Sequence, residues 1–211
     1  MCVSKRRAVD PGPDDEALQR QSHADRTLFC KFAYDNNGNT LALLRAATKI
    51  MRGRARRLRG HTRLHIPSVD EPLIVLIVDE IACLTAYIGD RKVCVEPERL
   101  LGLLLSQGRA VGVSVVAAVQ DPSKDVLPIR QLFSIRIGMR MTETSQTTMV
   151  LGAAARDAGA VCEQIPTTTL GVGYVCGDRA AEPVRVRAFE VDTERAGHHS
   201  AADYRTRLPA Q

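Results

Sequence analysis

Residues 72–80 have the sequence Pro72-Leu73-Ile74-Val75-Leu76-Ile77-Val78-Asp79-Glu80, in which six consecutive aliphatic residues lie between a proline and two acids. A run of this length and branching predicts a strand that is covered on both faces, as in a parallel sheet. A second apolar strand is predicted at 113–119, after a leucine-rich helical segment at 96–109. Strand, helix and strand with short connections form a crossover unit, so the sequence predicts an α/β chain with a doubly wound, mostly parallel sheet.

Three polar side chains that could take part in catalysis or ligand binding follow these two strands: Asp79 and Glu80 after the first, and Gln120 after the second. Ligands of open parallel sheets bind at the carboxyl ends of the strands. An apolar strand ending in Asp-Glu is typical of the Walker B site, where the Asp holds Mg²⁺ through water and the Glu polarises the attacking water. Gln120 could hydrogen-bond that water or the γ-phosphate. Acids also close strands simply because turns are solvated, so the local pattern alone leaves both readings open.

The composition is that of one ordinary globular domain, with 211 residues, 45% of them hydrophobic and 25% charged. No apolar run approaches the roughly 20 residues that a membrane span requires. The amino-terminal residues show no signal peptide, so a cytoplasmic protein is expected, and any association with a membrane would be through partners. The six cysteines are scattered without metal-like spacing, which favours reduced structural thiols.

Arginines are concentrated between Arg52 and Arg63, at the end of a helix predicted over 41–58. Clustered guanidinium groups could bind a phosphate backbone and release its counterions. The alternative is a solvated helix end whose cations complement the helix dipole, and the lack of interleaved aromatic residues favours it.

A second pair of arginines lies in the segment 133–141, where apolar and polar residues alternate strictly. This pattern predicts a half-exposed strand with one polar face. Arg136 and Arg140 share that face and could reach a nucleotide on an adjacent subunit, as arginine fingers do, or could simply be solvated.

Together these residues resemble the motor domain of the FtsK/SpoIIIE DNA translocases, of the kind found in actinobacterial conjugative elements. The stretches that carry the resemblance are 32–35, 72–82, 107–125 and 171–174. The resemblance implies a RecA-like P-loop NTPase core, a hexameric ring around double-stranded DNA, and ATP with Mg²⁺ as the one small-molecule substrate and its cofactor. It covers about 28–191, so residues 1–27 are expected to be a disordered or unrelated leader and 192–211 a flexible tail.

Carried over by position, the resemblance makes Asp79 the acid that binds Mg²⁺ through water, Glu80 the catalytic base and Gln120 the sensor. Arg136 and Arg140 would be nucleotide-binding. A second family arginine, expected in the helix after that strand, falls near Thr148.

The largest departure from the family is the missing Walker A motif. A P-loop needs glycines whose N–H groups cradle the phosphates and a lysine that reaches them, yet no Gly-Lys dipeptide occurs in the sequence. This predicts the carboxyl-terminal part of a motor domain, truncated at its N-terminal side, with weak or absent ATPase activity alone. Two functions stay open: part of an ATP-dependent DNA translocase, or an inactive remnant or regulatory subunit that assembles with a full-length homologue.

Overall fold

The computed structural model describes residues 2–3, 32–33, 38–86, 91–177 and 182–189. They fall into two compact units, which divide the chain between Val119 and Gln120; the second unit ends at Glu190. The predicted leader and tail lie outside the described residues, except for Cys2 and Val3. No helix in the described ranges combines the length and the apolar composition needed to cross a bilayer.

The first unit is built on a four-stranded parallel sheet. Its strands are β1 (Cys2–Val3), β2 (Phe32–Ala33), β3 (Ile74–Val78) and β4 (Val113–Ala117), in the order β2-β1-β3-β4. The two apolar runs of the sequence therefore form neighbouring parallel strands, as predicted. Cys2 and Val3 pair with both β2 and β3, so this part of the predicted leader belongs to the sheet.

Helices α1 (Gly38–Leu58), α2 (Ala82–Thr85) and α3 (Arg91–Gln107) complete the first unit. Helix α1 begins three residues before the predicted start and ends where predicted. Leu44, Ala47 and Met51 recur at helical spacing on α1 and are almost completely buried. Burial of a side chain such as Leu44 contributes about 1.5–3 kcal/mol, so this apolar stripe fixes which face of α1 points into the core.

Arg54 is a buried arginine within the predicted cluster, with only 3% of its surface exposed. Its Nη1 donates to the carbonyl oxygens of Val111 at 3.1 Å and Gly112 at 3.0 Å, and its Nη2 donates to that of Pro72 at 2.7 Å. Burial first, and then the nearby charge of Arg57, lowers the pKa of Arg54. Arg54 therefore joins α1 to the segments that lead into β3 and β4.

The second unit contains an antiparallel sheet of β5 (Ile135–Met139), β6 (Val172–Gly177) and β7 (Val184–Arg187), in the order β5-β6-β7. Strands β6 and β7 are consecutive in the chain and pair antiparallel, from Val172 opposite Arg187 to Val175 opposite Val184. Helices α4 (Thr144–Leu151) and α5 (Ala153–Asp157) follow β5. The core of this unit is formed by Leu151, Ala160, Cys162, Ile165 and Val172.

Strand β5 is oriented opposite to the prediction. Its apolar residues Ile135, Ile137 and Met139 are 64%, 56% and 46% exposed, whereas Gly138 on the polar face is buried. A Cβ at Gly138 would lie 2.8 Å from the Sγ of Cys162 and 3.1 Å from Leu151. The absence of a side chain at position 138 lets the core of the second unit pack closely there, and this outweighs the alternation of the strand.

Glu163 is the acceptor of a polar cluster at the edge of this core. It accepts hydrogen bonds from Thr147 Oγ1 at 2.9 Å and from Arg156 Nη2 at 2.6 Å. The hydrogen bond from its own backbone amide, and then Thr147 and Arg156, hold the pKa of Glu163 below its usual value.

This cluster predicts a pH dependence of stability. A carboxylate with a depressed pKa stabilises the fold fully above the usual value of 4.5, and the contribution is lost as the pH falls through the lower folded value. We expect the urea midpoint of the protein to fall between pH 5 and pH 3, and to fall less in Glu163→Gln. Glu182→Gln, at an exposed position, serves as the control. Equal pH profiles for Glu163→Gln and the unaltered chain would contradict this assignment.

Candidate functional site

The candidate site lies where β3 and β4 end. The two strands are parallel and in register from Ile74 opposite Val113 to Val78 opposite Ala117, so they end at the same edge of the sheet. Beyond the strands, the N–H of Ala118 donates to Val78 O and the N–H of Ile81 donates to Ala118 O, each at 2.9 Å. These two bonds fix the backbone on both sides of Asp79 and Glu80 against the end of β4.

The two acids have different environments. Asp79 is exposed, whereas Glu80 is only 6% exposed. Oε1 of Glu80 accepts the backbone N–H of Ala82 at 3.0 Å, at the start of the buried helix α2. The buried carboxylate is thus held in one orientation by the backbone, while its neighbour faces outward.

This pair could provide the acidic side of a magnesium–nucleotide site. An exposed carboxylate is a hard oxygen ligand of the kind that Mg²⁺ prefers, usually together with water and phosphate oxygens. Within the described ranges, no cluster of three or more His, Cys, Asp or Glu side chains could hold a metal ion.

The other predicted site residues belong to the second unit. Gln120 is exposed and lies three residues after the end of β4. Arg136 is half-buried on β5, and its Nε has no hydrogen-bond partner among the described residues. Arg140 is exposed just after β5 ends, and Thr148 is exposed on α4, where its Oγ1 donates to Thr144 O. The structure brings Asp79 and Glu80 together at one edge of the first unit.

Sequence reasoning missed two features, one at this site and one at the opposite ends of β3 and β4. The backbone N–H of Ala82 as the anchor of Glu80 gives no sequence signal, because any residue but proline supplies an N–H. The structural role of Arg54 is also hidden, because it lies among arginines of the same type at neighbouring positions. Only the position of α1 in the structure shows that Arg54 is buried whereas Arg52 and Arg56 on the same helix are exposed.

Comparison with curated proteins identifies relatives. The chain is 30% identical over 143 residues to DNA translocase FtsK 1 of Neisseria meningitidis serogroup A, which is 66% of this chain and 16% of the relative. It is 33% identical over 88 residues to DNA translocase FtsK of Borreliella burgdorferi, 41% of this chain and 10% of the relative.

The chain is similar to DNA translocases of the FtsK/SpoIIIE type.

This FtsK-type chain spans only 10–16% of the length of those two curated relatives. No protein-family model matches it.

Solved structures confirm the fold of the FtsK-type chain. The pCW3 conjugation coupling protein TcpA, in its monomer form with ATPγS, superposes with a TM-score of 0.65 at 16% identity over 92% of this chain and 61% of TcpA. EssC ATPases 2 and 3 from Geobacillus thermodenitrificans superpose with a TM-score of 0.62 at 14% identity, over 98% of this chain and 38% of the EssC chain. The cytoplasmic domain of the Thermomonospora curvata Type VII secretion ATPase EccC superposes with a TM-score of 0.57 at 17% identity, over 100% of this chain and 25% of the EccC chain. The predicted RecA-like α/β architecture is therefore confirmed.

Proposed function

We propose that this FtsK-type chain is part of the motor of an ATP-dependent double-stranded DNA translocase, with Asp79 and Glu80 as its Walker B acids. The observation that carries the proposal is the acid pair at the end of β3, one carboxylate exposed and the other buried and held by a backbone N–H. The names of the curated relatives, both DNA translocases, support the same activity.

The two acids would have separate roles in this site. Asp79 would hold Mg²⁺ through coordinated water, and the bound ion would supply charge neutralisation at the phosphates. Glu80 would accept a hydrogen bond from the attacking water and take up its proton. The N–H of Ala82 keeps the carboxylate of Glu80 from rotating away, which is the positioning that a general base requires.

Three residues of the second unit have proposed roles in nucleotide chemistry. Gln120 would hydrogen-bond the water or the γ-phosphate. Arg136 has a partnerless Nε donor within the described part of the chain, and a guanidinium group suits bidentate contact with phosphate oxygens. We assign Arg136 and Arg140 to a nucleotide bound on an adjacent subunit of a hexameric ring.

A second function is favoured by one sequence observation. The 211 residues contain no Gly-Lys dipeptide, so the phosphate cradle of a P-loop must come from outside them. The chain would then be a regulatory or inactive subunit that assembles with a full-length homologue. The two functions differ in whether Glu80 contributes to hydrolysis.

A mixing experiment tests both functions. The purified chain alone is expected to bind a fluorescent ATP analogue with Mg²⁺ weakly and to hydrolyse ATP at background rate. Mixed with a complete FtsK-type motor, it is expected to co-elute with that motor. In the mixed assembly, ATP hydrolysis at sites that use Glu80 should be about 100-fold slower in the Glu80→Gln variant. Glutamine keeps an oxygen that can accept the N–H of Ala82, so this variant should fold. Asp157→Asn, at an exposed position in the second unit, is the control.

Each outcome decides between the functions. Equal rates for Glu80→Gln and the unaltered chain within a mixed assembly would support the regulatory subunit. Failure to co-elute would reject both functions. Hydrolysis by the chain alone that survives Glu80→Gln would remove the acids from the mechanism.

A further inference from the structure

The positive charge of the chain is concentrated in one segment. Residues 36–69 contain eight Lys and Arg and no Asp or Glu, whereas the rest of the chain has 21 cations and 24 acids. Most of this segment is helix α1, which carries six cations in 21 residues. A helix needs no such excess for its own stability, because like charges three and four residues apart repel each other.

Four of the helix cations lie on one side of α1 and, together with Arg59 just after the helix ends, line a groove. Arg45, Lys49, Arg52, Arg56 and Arg59 follow one another at steps of four, three, four and three residues, which is the spacing of a single helical face. With Arg99 of α3 they line a groove of about 620 Å³ between α1 and α3. Along the helix axis the row extends about 20 Å.

The groove cations are largely uncompensated. Among the described residues that line the groove, Glu96 is the one acid, and it is paired with Arg45 by hydrogen bonds of 3.0 and 2.7 Å. Lys49, Arg52, Arg56 and Arg59 make no hydrogen bond or ion pair with any described residue. The neighbouring Arg54 and Arg57 are already engaged, with backbone carbonyls and with Glu71 respectively.

We propose that this α1–α3 groove binds the phosphodiester backbone of duplex DNA. Cations in a row, as opposed to a converging cluster, suit an extended polyanion better than a single phosphate group. Four of the five row cations are arginines, which contact phosphate oxygens through two donors at once. No aromatic side chain is among the described residues that line the groove, so these residues offer no platform for base stacking and the contact is independent of sequence. The proposal rests on the proposed function only for the choice of DNA as the polyanion.

The test measures binding of the full chain, without nucleotide, to a fluorescent 20-base-pair duplex over a range of salt concentrations. Arg52→Ala/Arg56→Ala/Arg59→Ala removes three phosphate contacts, so the slope of log K against log salt should become shallower by about 3, since each contact contributes about 0.9. At low salt the dissociation constant should rise on the order of 100-fold. Arg109→Ala/Arg185→Ala/Arg187→Ala removes the same charge from exposed positions elsewhere and should leave the slope nearly unchanged.

Two further arms complete the design. The all-lysine variant Arg52→Lys/Arg56→Lys/Arg59→Lys keeps the charge and should retain most of the slope, which separates charge loss from misfolding. The same slope change in both alanine variants would mean a diffuse charge effect and would overturn the proposal that the groove binds DNA. So would unaltered binding by the groove variant, absence of duplex binding at 50 mM salt, or equal competition by polyglutamate. None of these results bears on the nucleotide site, which the mixing experiment tests separately.

Discussion

Replacing Arg54 with alanine is expected to lower the free energy of unfolding by about 3–5 kcal/mol, the largest effect of any single side-chain truncation considered for the first unit. The side chain is buried and donates three hydrogen bonds to main-chain carbonyls that precede β3 and β4. Alanine would leave the carbonyls of Val111 and Gly112 without this donor and open a cavity beneath α1. Urea unfolding followed by circular dichroism measures the change.

The matched control for this prediction is Arg56→Ala, on the same helix two residues later. Arg56 is exposed and has no partner among the described residues, so its loss should change the free energy of unfolding by less than about 0.5 kcal/mol. Similar losses for the two variants would show that Arg54 does not hold α1 to the sheet. The pair also checks that the groove arginines can be removed without unfolding the protein.

Gly108→Ala is expected to destabilise the first unit by about 3 kcal/mol or more, at the high end for overpacking. Gly108 follows α3 with an ordinary helical φ of −65°, so the restriction is one of space alone. A Cβ there would lie 2.4 Å from both Leu104 O and Val113 O. Both atoms belong to the main chain, and relief would require moving α3 away from the start of β4.

The control for Gly108 should change stability in the opposite direction. At Gly53, within α1, an added Cβ would meet only Arg57 Nη1 at an ordinary 3.7 Å. Gly53→Ala should therefore stabilise the protein by about 0.5–1 kcal/mol through helix propensity. Thermal unfolding of both variants gives the comparison, and a Gly108→Ala protein as stable as the unaltered chain would refute the close approach of the two main-chain segments.

The central architecture could be predicted because its signal is local and redundant. The aliphatic run at 73–78 and the run at 113–119 each exclude most other structures, and the helix between them fixes parallel pairing. Helix α1 was similarly determined by the spacing of Leu44, Ala47 and Met51. Where many residues indicate the same secondary structure, a single residue that does not fit leaves the prediction unchanged.

The orientation of β5 could not be predicted because alternation defines two faces and does not say which of them meets the core. Ile135, Ile137 and Met139 gave the stronger hydrophobic signal, yet the small residue Gly138 is the one that Leu151 and Cys162 cover. Close packing against a glycine depends on residues that come later in the chain. This information exists only in the tertiary structure.

The candidate site was predictable in part. Asp79 and Glu80 follow a recognisable strand, and the register of β3 and β4 places them at the expected edge. Their different exposure was not predictable, since it depends on the burial of α2 and on the N–H of Ala82. The sequence shows that arginines are concentrated on and just after α1. Only the structure shows that Arg54 is buried and structural, whereas the groove arginines are exposed.

The position of β1 has a consequence for how the sheet is assembled during synthesis. Cys2 and Val3 lie between β2 and β3, so an inner position of the sheet belongs to the segment that the ribosome makes before all its partners. β3 follows about 70 residues later, which at roughly 5–20 residues per second means about 4–14 s of translation. Parallel pairing at such sequence separation is slow, because a long loop must close before the contacts form. β1 therefore has to stay available in the nascent chain until Val78 has emerged, and its pairing with β3 forms only then.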